Sequence, residues 1–384
     1  MTYSTPKEDN RTDNVLPAPE NWRKKMTFWF GAIICVVLTG WALRAMSAVL
    51  IPLAFALFIS LMLAPLVKRV AEAVPPKLSW LGVVAAMGLL FLILLVFLAG
   101  VSFAIQQLSV EIPRVGDRLR SFLPDGGAGL SDTSASEPLL QQISGILRDT
   151  GGAFGGWIID YASVFAQQAA SIISAVVASV VIVFFLVLII LSEKDQWSAK
   201  IAALSSNTAQ QVWLDGVTVA MHRLRKFLVV RALIGLVTAA LYAGWLALFG
   251  IDLLIVWALL TFLLTFIPSL GSIISGFLPV LYALLVVDPQ TVFWIGTGLF
   301  IIEQVIGNYI DPKLQGREIL VSPLVILIAL LVWGWIWGAA GTLLSTPIMI
   351  LLLITLHHNG ATRSAALLIS NQTELADLDA ALAS

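Results

Sequence analysis

The sequence predicts an all-α integral membrane protein, and three observations carry that prediction. Of 384 residues, 59% are hydrophobic and only 12% charged, and mean hydropathy is +0.94. A soluble domain carries about 45–50% apolar and about 25% charged residues, so these few charges cannot solvate this much apolar surface. The charges are also unevenly placed. They leave long apolar runs, most of them near or beyond the roughly 20 residues a helix needs to cross about 30 Å of hydrocarbon. Finally, the runs are apolar on both parities, unlike the alternating strands of a membrane barrel. Lipid offers no partner to unpaired backbone groups, which leaves helices. A soluble enzyme, a disordered regulator and a nucleic-acid binder, which would need a basic face, are excluded. Net charge is −1 and sets no electrostatic preference for partners. The single cysteine, Cys35, rules out an internal disulfide framework and a thiolate metal site.

The charge-free runs are 26–43, 45–67, 78–110, 161–192, 232–251, 253–287, 289–302 (to 310 with one charge) and 319–362. They predict about eight hydrophobic helical segments. Arg23, Lys24 and Lys25 precede the first run as in a signal peptide. The long stretch before them, and the equally apolar run after only Arg44, favour a retained hairpin. The organisation expected is a tail at 1–25, a helical hairpin at 26–67, and two spans at 78–192 interrupted by a soluble segment at 106–164. An amphipathic linker at 193–231, a core at 232–358 and a tail at 359–384 follow.

Basic residues near span ends set orientation. Arg23–Lys25, then Lys68, Arg69 and Lys77, flank the first two spans, and 192–231 is net positive. The segment 106–164 is net negative. Both termini, 68–78 and 192–231 are therefore expected in the cytoplasm, with 106–164 outside. In that outer segment Ile112, Val115, Leu119 and Phe122 repeat at helical spacing before the chain-breaking run Pro124-Asp-Gly-Gly-Ala-Gly. In the linker, Trp213, Val217, Ala220, Leu224 and Phe227 form one apolar face beside His222, Arg223, Arg225 and Lys226. Such a helix serves either the lipid surface or a packed connector.

Two apolar segments are interrupted. Residues 253–287 would make a rod of roughly 50 Å, too long for one upright crossing. Ile267-Pro268-Ser269-Leu270-Gly271 lies near its middle, and Pro removes a helix hydrogen bond and clashes with the preceding turn. Residues 319–356 repeat the design, broken at Trp337-Gly338-Ala339-Ala340-Gly341. Pro279 and Pro347 are read as further helix breaks. Re-entrant hairpins and long kinked crossings both fit. Paired interruptions point to a secondary transporter's site, because exposed backbone groups can bind a polar solute where they line a cavity. Pro268, Ser269, Gly271, Gly338 and Gly341 are thus candidate site residues.

Between the breaks lies Glu303, the one carboxylate well inside a predicted span. A charge at that depth costs several kcal/mol, so it is expected to face the protein interior. Gly296, Glu303 and Gly307 share a helix face, and Gln304 and Asn308 adjoin it. The polar set continues through Asp311, Pro312, Lys313, Gly316 and Arg317. Glu303, Gln304 and Asn308 are candidate solute or ion ligands, as against a packing hydrogen bond between helices. There is no Walker loop, no base for a serine nucleophile, and adjacent His357 and His358 diverge on a helix. No catalytic residue, metal or cofactor is expected.

These motifs resemble the autoinducer-2 exporter (AI-2E) family of bacterial membrane proteins. Ile267-Pro268-x-x-Gly271 is similar to its Ile/Val-Pro-x-x-Gly break. Glu303-Gln304-x-x-x-Asn308-x-x-x-Pro312-x-x-x-Gly316 is similar to its Glu-rich stretch. Ser322-Pro323, then Trp337-Gly338-x-x-Gly341 and Pro347, resemble its last signature. Lys226–Arg231 departs from the Tyr/Gly/Gln-containing stretch common there. Pro279, Pro312, Gly316, Pro323 and Pro347 are taken as structural breaks. The resemblance implies an inner-membrane transporter, not an enzyme. It would move a small polar solute such as autoinducer-2, a quorum-sensing signal, or exchange sodium for protons. It also implies a homo-oligomer in the lipid bilayer. A non-transporting scaffold presenting 106–164 is the remaining alternative.

Overall fold

The computed structural model describes residues 20–122, 171, 174–200, 203, 208–268, 270–315, 320–358, 360 and 362–383. The chain forms two units, residues 1–47 and 48–384. The first contains α1 (Glu20–Ala45), whose stretch Trp29–Ala45 is apolar. Apart from Ser47, the first residue of α2, every other element lies in the second unit.

Helices α2 (Ser47–Ala73), α3 (Leu81–Phe122) and α4 (Ser174–Lys200) are long and apolar, as the composition requires. They pack through Ala56 and Leu63, Ala86, Met87 and Leu90, and Val183, Val187 and Leu191. The segment 106–164 begins as a continuation of α3, which runs to Phe122. The Pro124–Gly129 run lies outside the described residues.

Helix α5 (Thr208–Leu248) is the spine. The amphipathic linker and the following span are one 41-residue helix. Its first half buries Ala220, Leu224 and Phe227 against Leu353 and Ile354 of α10 (Pro323–His358) and Leu378 of α12 (Leu375–Ala383). The linker's apolar face therefore serves as a packed connector. The second half of α5 buries Tyr242 and Leu246 with Trp257 of α6 (Leu254–Leu264), Tyr282 of α7 (Leu270–Val286) and Ile295 of α8 (Pro289–Val305).

Both interruptions are chain reversals. A Cβ added at Gly271 would lie 1.8 Å from the Leu264 carbonyl oxygen, seven residues back. One added at Gly341 would lie 1.9 Å from that of Trp333, eight residues back. On a straight helix those groups stand roughly 10 Å apart along the axis, so each segment folds into a hairpin whose glycine lets the arms touch. Gly338 turns the second hairpin at φ 60°, ψ −142°, a region that side chains with a Cβ rarely enter. The hairpin arms α6 and α7 are 11 and 17 residues long, short for a full crossing. Helix α10 is long and apolar enough in total to cross a membrane, as are α2, α3, α4, α5 and the run Pro289–Leu314, but its 36 residues are folded at Gly338.

Pro279 and Pro347 require correction. Both are buried inside continuous helix, in α7 and α10, and neither ends its element. Pro323 starts α10, where its missing N–H costs nothing.

The described residues of the 359–384 tail are folded. Helix α11 (Arg363–Ile369) and α12 pack into the α5–α10 core. The Ser322 N–H donates to the Ile369 carbonyl (2.9 Å) and the Asn371 N–H to that of Leu320 (2.8 Å). Arg223, almost fully buried, donates to the carbonyls of Ala381 (2.6 Å) and Leu382 (3.1 Å).

A cavity between the spine and the first hairpin

The site grows from two antiparallel helices. Arg231, Ile234, Thr238 and Tyr242 recur at helical spacing and form one stripe of α5. Three polar contacts join α5 to the strand of helix carrying Glu303. Trp245 Nε1 donates to the Ile295 carbonyl (3.2 Å), Tyr242 Oη to Glu303 Oε2 (2.9 Å), and Arg231 Nη1 to Asp311 Oδ2 (3.3 Å). As α5 numbering falls the partner numbering rises, so the rungs descend in order.

The third rung depends on a local irregularity. Residues Ile306–Ile310 form a π-turn between α8 and α9 (Asp311–Gln315), and the Asp311 N–H donates to the Ile306 carbonyl, five residues back. Pro312 follows immediately. In regular α-helix its ring would press on the Asn308 carbonyl four residues back, and the widened turn avoids that. The turn also changes register. At about 100° per residue, Asp311 would sit about 80° around the helix from Glu303. Absorbing one residue leaves about 20°. Glu303 and Asp311 thereby share a face.

Around this face lies a cavity of about 540 Å³, a size typical of small-molecule sites. Glu303, Gln304, Gly307, Asn308 and Asp311 line one wall, and Arg231 and Thr238 another. Pro268 closes it from the first hairpin with Thr265, Ser272 and Ser275. Pro323 and Asn371 close it from the start of α10 and the tail. Asn308 Nδ2 donates to Gln304 Oε1, so the two amides act as a pair. Tyr242 is fully buried and fixes the Glu303 carboxylate, whose residue is partly exposed. A carboxylate, paired amides and hydroxyls suit a polyhydroxylated solute or the oxygen shell of a hard cation.

The expected residues divide. Glu303, Gln304, Asn308 and Pro268 line the cavity. Gly271 stands behind Pro268 at the hairpin contact. Gly338 and Gly341 do not line it, because the second hairpin turns elsewhere and contributes only the start of its first arm. Ser269 and Gly316 lie outside the described residues. Tyr242, Arg231 and Asp311 complete the site. Tyr242 is read from sequence as one more apolar-run residue. Arg231 is read as the end of the linker, and its only signal is a lone charge bordering a 20-residue apolar run. Among the described residues no cluster of three or more His, Cys, Asp or Glu could hold a metal. His357 pairs instead with Asp379 (3.2 Å), and His358 Nδ1 contacts the Ile354 carbonyl (2.9 Å).

A family model described as AI-2E family transporter matches residues 31–359. The AI-2 transport protein TqsA of Escherichia coli K12 is 26% identical over 349 residues, 90% of this chain and 96% of its own length. A Haemophilus influenzae relative, assigned to transport by name only, is 27% identical over 88% of this chain and 94% of its own. An E. coli K12 relative, YhhT, also assigned to transport by name only, is 31% identical over 138 residues, 36% of this chain and 40% of its own. With the folded hairpins, the cavity and a match over most of its length, this chain belongs to the AI-2E transporter family.

Proposed function

We propose that this chain is a secondary transporter that moves a small polar solute through the cavity by alternating access. The observation that carries it is Glu303, held by buried Tyr242 at the edge of a 540 Å³ cavity beside the Pro268 hairpin. A scaffold has no use for a carboxylate held beside an open chamber. By kinship with TqsA, an AI-2 transport protein, the solute is autoinducer-2 or a similar compound, and export is the direction the family resemblance implies. The protein sits in the bacterial inner membrane with both termini in the cytoplasm, and works as a homo-oligomer. The test is export from inverted vesicles or proteoliposomes across a panel of polar solutes. The parent moves at least one, and Glu303→Gln, of the same size, abolishes it without changing the elution profile in detergent. Undiminished export by Glu303→Gln sinks the assignment.

A second reading, sodium/proton exchange, draws on one feature. Two carboxylates, Glu303 and Asp311, face the cavity against one guanidinium, Arg231, which favours a cation there. Sodium-dependent proton flux in dye-loaded proteoliposomes supports it. None between pH 6 and 9 removes it.

A further inference from the structure

We propose that Arg231 and Asp311 form a gate pair that closes one end of the cavity, and that Pro312 is the positioning residue that puts Asp311 there. The gate rests on the cavity being the transport path.

The pair does not resemble a structural tie. Buried ion pairs that only hold helices together need their remaining donors satisfied, often by a bidentate fork. Here the Arg231 residue is 6% exposed, yet it meets Asp311 through a single contact of 3.3 Å. Its buried Nε has no hydrogen-bond partner. The Phe227 ring, 5.7 Å away, supports the guanidinium from α5 itself. The arrangement is a guanidinium held in place by its own helix and lightly engaged by a carboxylate from another.

The pair also stands at a defined place. Arg231 is eleven residues from Tyr242, about 16 Å along α5. Both pairs line or border the same cavity, so they lie near opposite ends of it. Asn371 of the tail and Pro323 lie among the lining residues too. Parting Arg231 from Asp311 therefore opens a way into the chamber without disturbing the Tyr242–Glu303 rung.

What can part them is the π-turn. Asp311 reaches Arg231 because one residue is absorbed at Ile306–Ile310. The turn lies directly ahead of Pro312, whose ring disfavours regular helix there. Return to regular helix would carry Asp311 about 100° around the axis and off Arg231. Wide turns of this kind inside helices are found frequently at functional sites.

The test reads cavity opening directly. Ser272, a cavity-lining residue, is replaced by Cys in a Cys35→Ser background. Its reaction rate with a membrane-impermeant charged methanethiosulfonate is measured in vesicles of each orientation. Arg231→Met and Asp311→Asn are expected to raise the rate from one side by about tenfold, the change that 1.4 kcal/mol produces. Pro312→Ala does the same by releasing the π-turn. Deleting Tyr309, an exposed residue outside the cavity lining, from Pro312→Ala restores the seven-residue spacing and the slow rate. Combining Arg231→Asp with Asp311→Arg restores it as well. Rates within about twofold of the parent for Asp311→Asn overturn the gate. A fast Pro312→Ala that the deletion leaves fast overturns the role of Pro312. If Arg231→Met fails to fold, the near-isosteric Asp311→Asn decides. A protein that moves no solute of the panel yet shows these rates loses the transport reading and keeps Arg231–Asp311 only as the closure of the cavity.

Discussion

Replacing Gly271 with Ala should open the first hairpin. The added Cβ falls 1.8 Å from the Leu264 carbonyl oxygen and 2.7 Å from its carbon. Restoring an ordinary 3.4 Å contact requires the arms to part by about 1.6 Å, and no rotamer can help because the obstacle is backbone. Overpacking in a tight interior costs about 1–3 kcal/mol, and this case belongs at the upper end. At about 2–4 °C per kcal/mol, the melting temperature should fall by roughly 6–12 °C. Tryptophan fluorescence during heating in detergent reads it. The matched control is Gly307→Ala, where nothing lies within 4 Å of the new methyl. Its effect should stay below about 1 kcal/mol. A Gly271→Ala protein melting within about 2 °C of the parent would refute the hairpin contact.

Tyr242→Phe removes the hydroxyl that donates to Glu303 and also bonds Ser275, and leaves the ring in place. A hydrogen bond to a charged group contributes about 1.5–3 kcal/mol, so both stability and transport should drop, and an unchanged melting curve counts against the rung. Thr346→Val should go the other way. Its hydroxyl is buried without a partner, so losing it should stabilise by about 1 kcal/mol in the same melt. In the tail, the hydrogen bond from Arg363 holds the Asp379 carboxyl below the usual carboxylate value. A lowered folded value means the stabilisation is complete above the ordinary value of about 3.9 and fades as pH falls through the folded one. Asp379→Asn should therefore speed amide exchange in α12 at pH 7 and leave it unchanged in acid below both values.

The sequence showed what backbone chemistry or a lone charge can show. Pro268, Gly338 and Gly341 break the chain because ring and missing Cβ act locally, and Glu303 stands out because lipid penalises any charge. Pro279 and Pro347 misled for the same reason: a local rule was applied where packing carries the helix through. Tyr242–Glu303 and Arg231–Asp311 join residues 61 and 80 positions apart. No periodicity reports such pairs. The π-turn was hidden too, since the five residues Ile306–Ile310 are too few to distinguish one helical pitch from the other.

Helix α5 touches everything that matters here. Its first half is locked by Arg223 to Ala381 and Leu382, and its second half bears the Tyr242 rung. A rigid rod held at two points passes rotation from one to the other. The family match stops at 359, yet Leu378, Ala381 and Leu382 beyond it are buried against that rod. Cutting the chain at the family boundary, or fusing a bulky tag beside Leu382, would loosen the handle by which the cavity wall is held, and a loss of transport after either would say nothing about the solute.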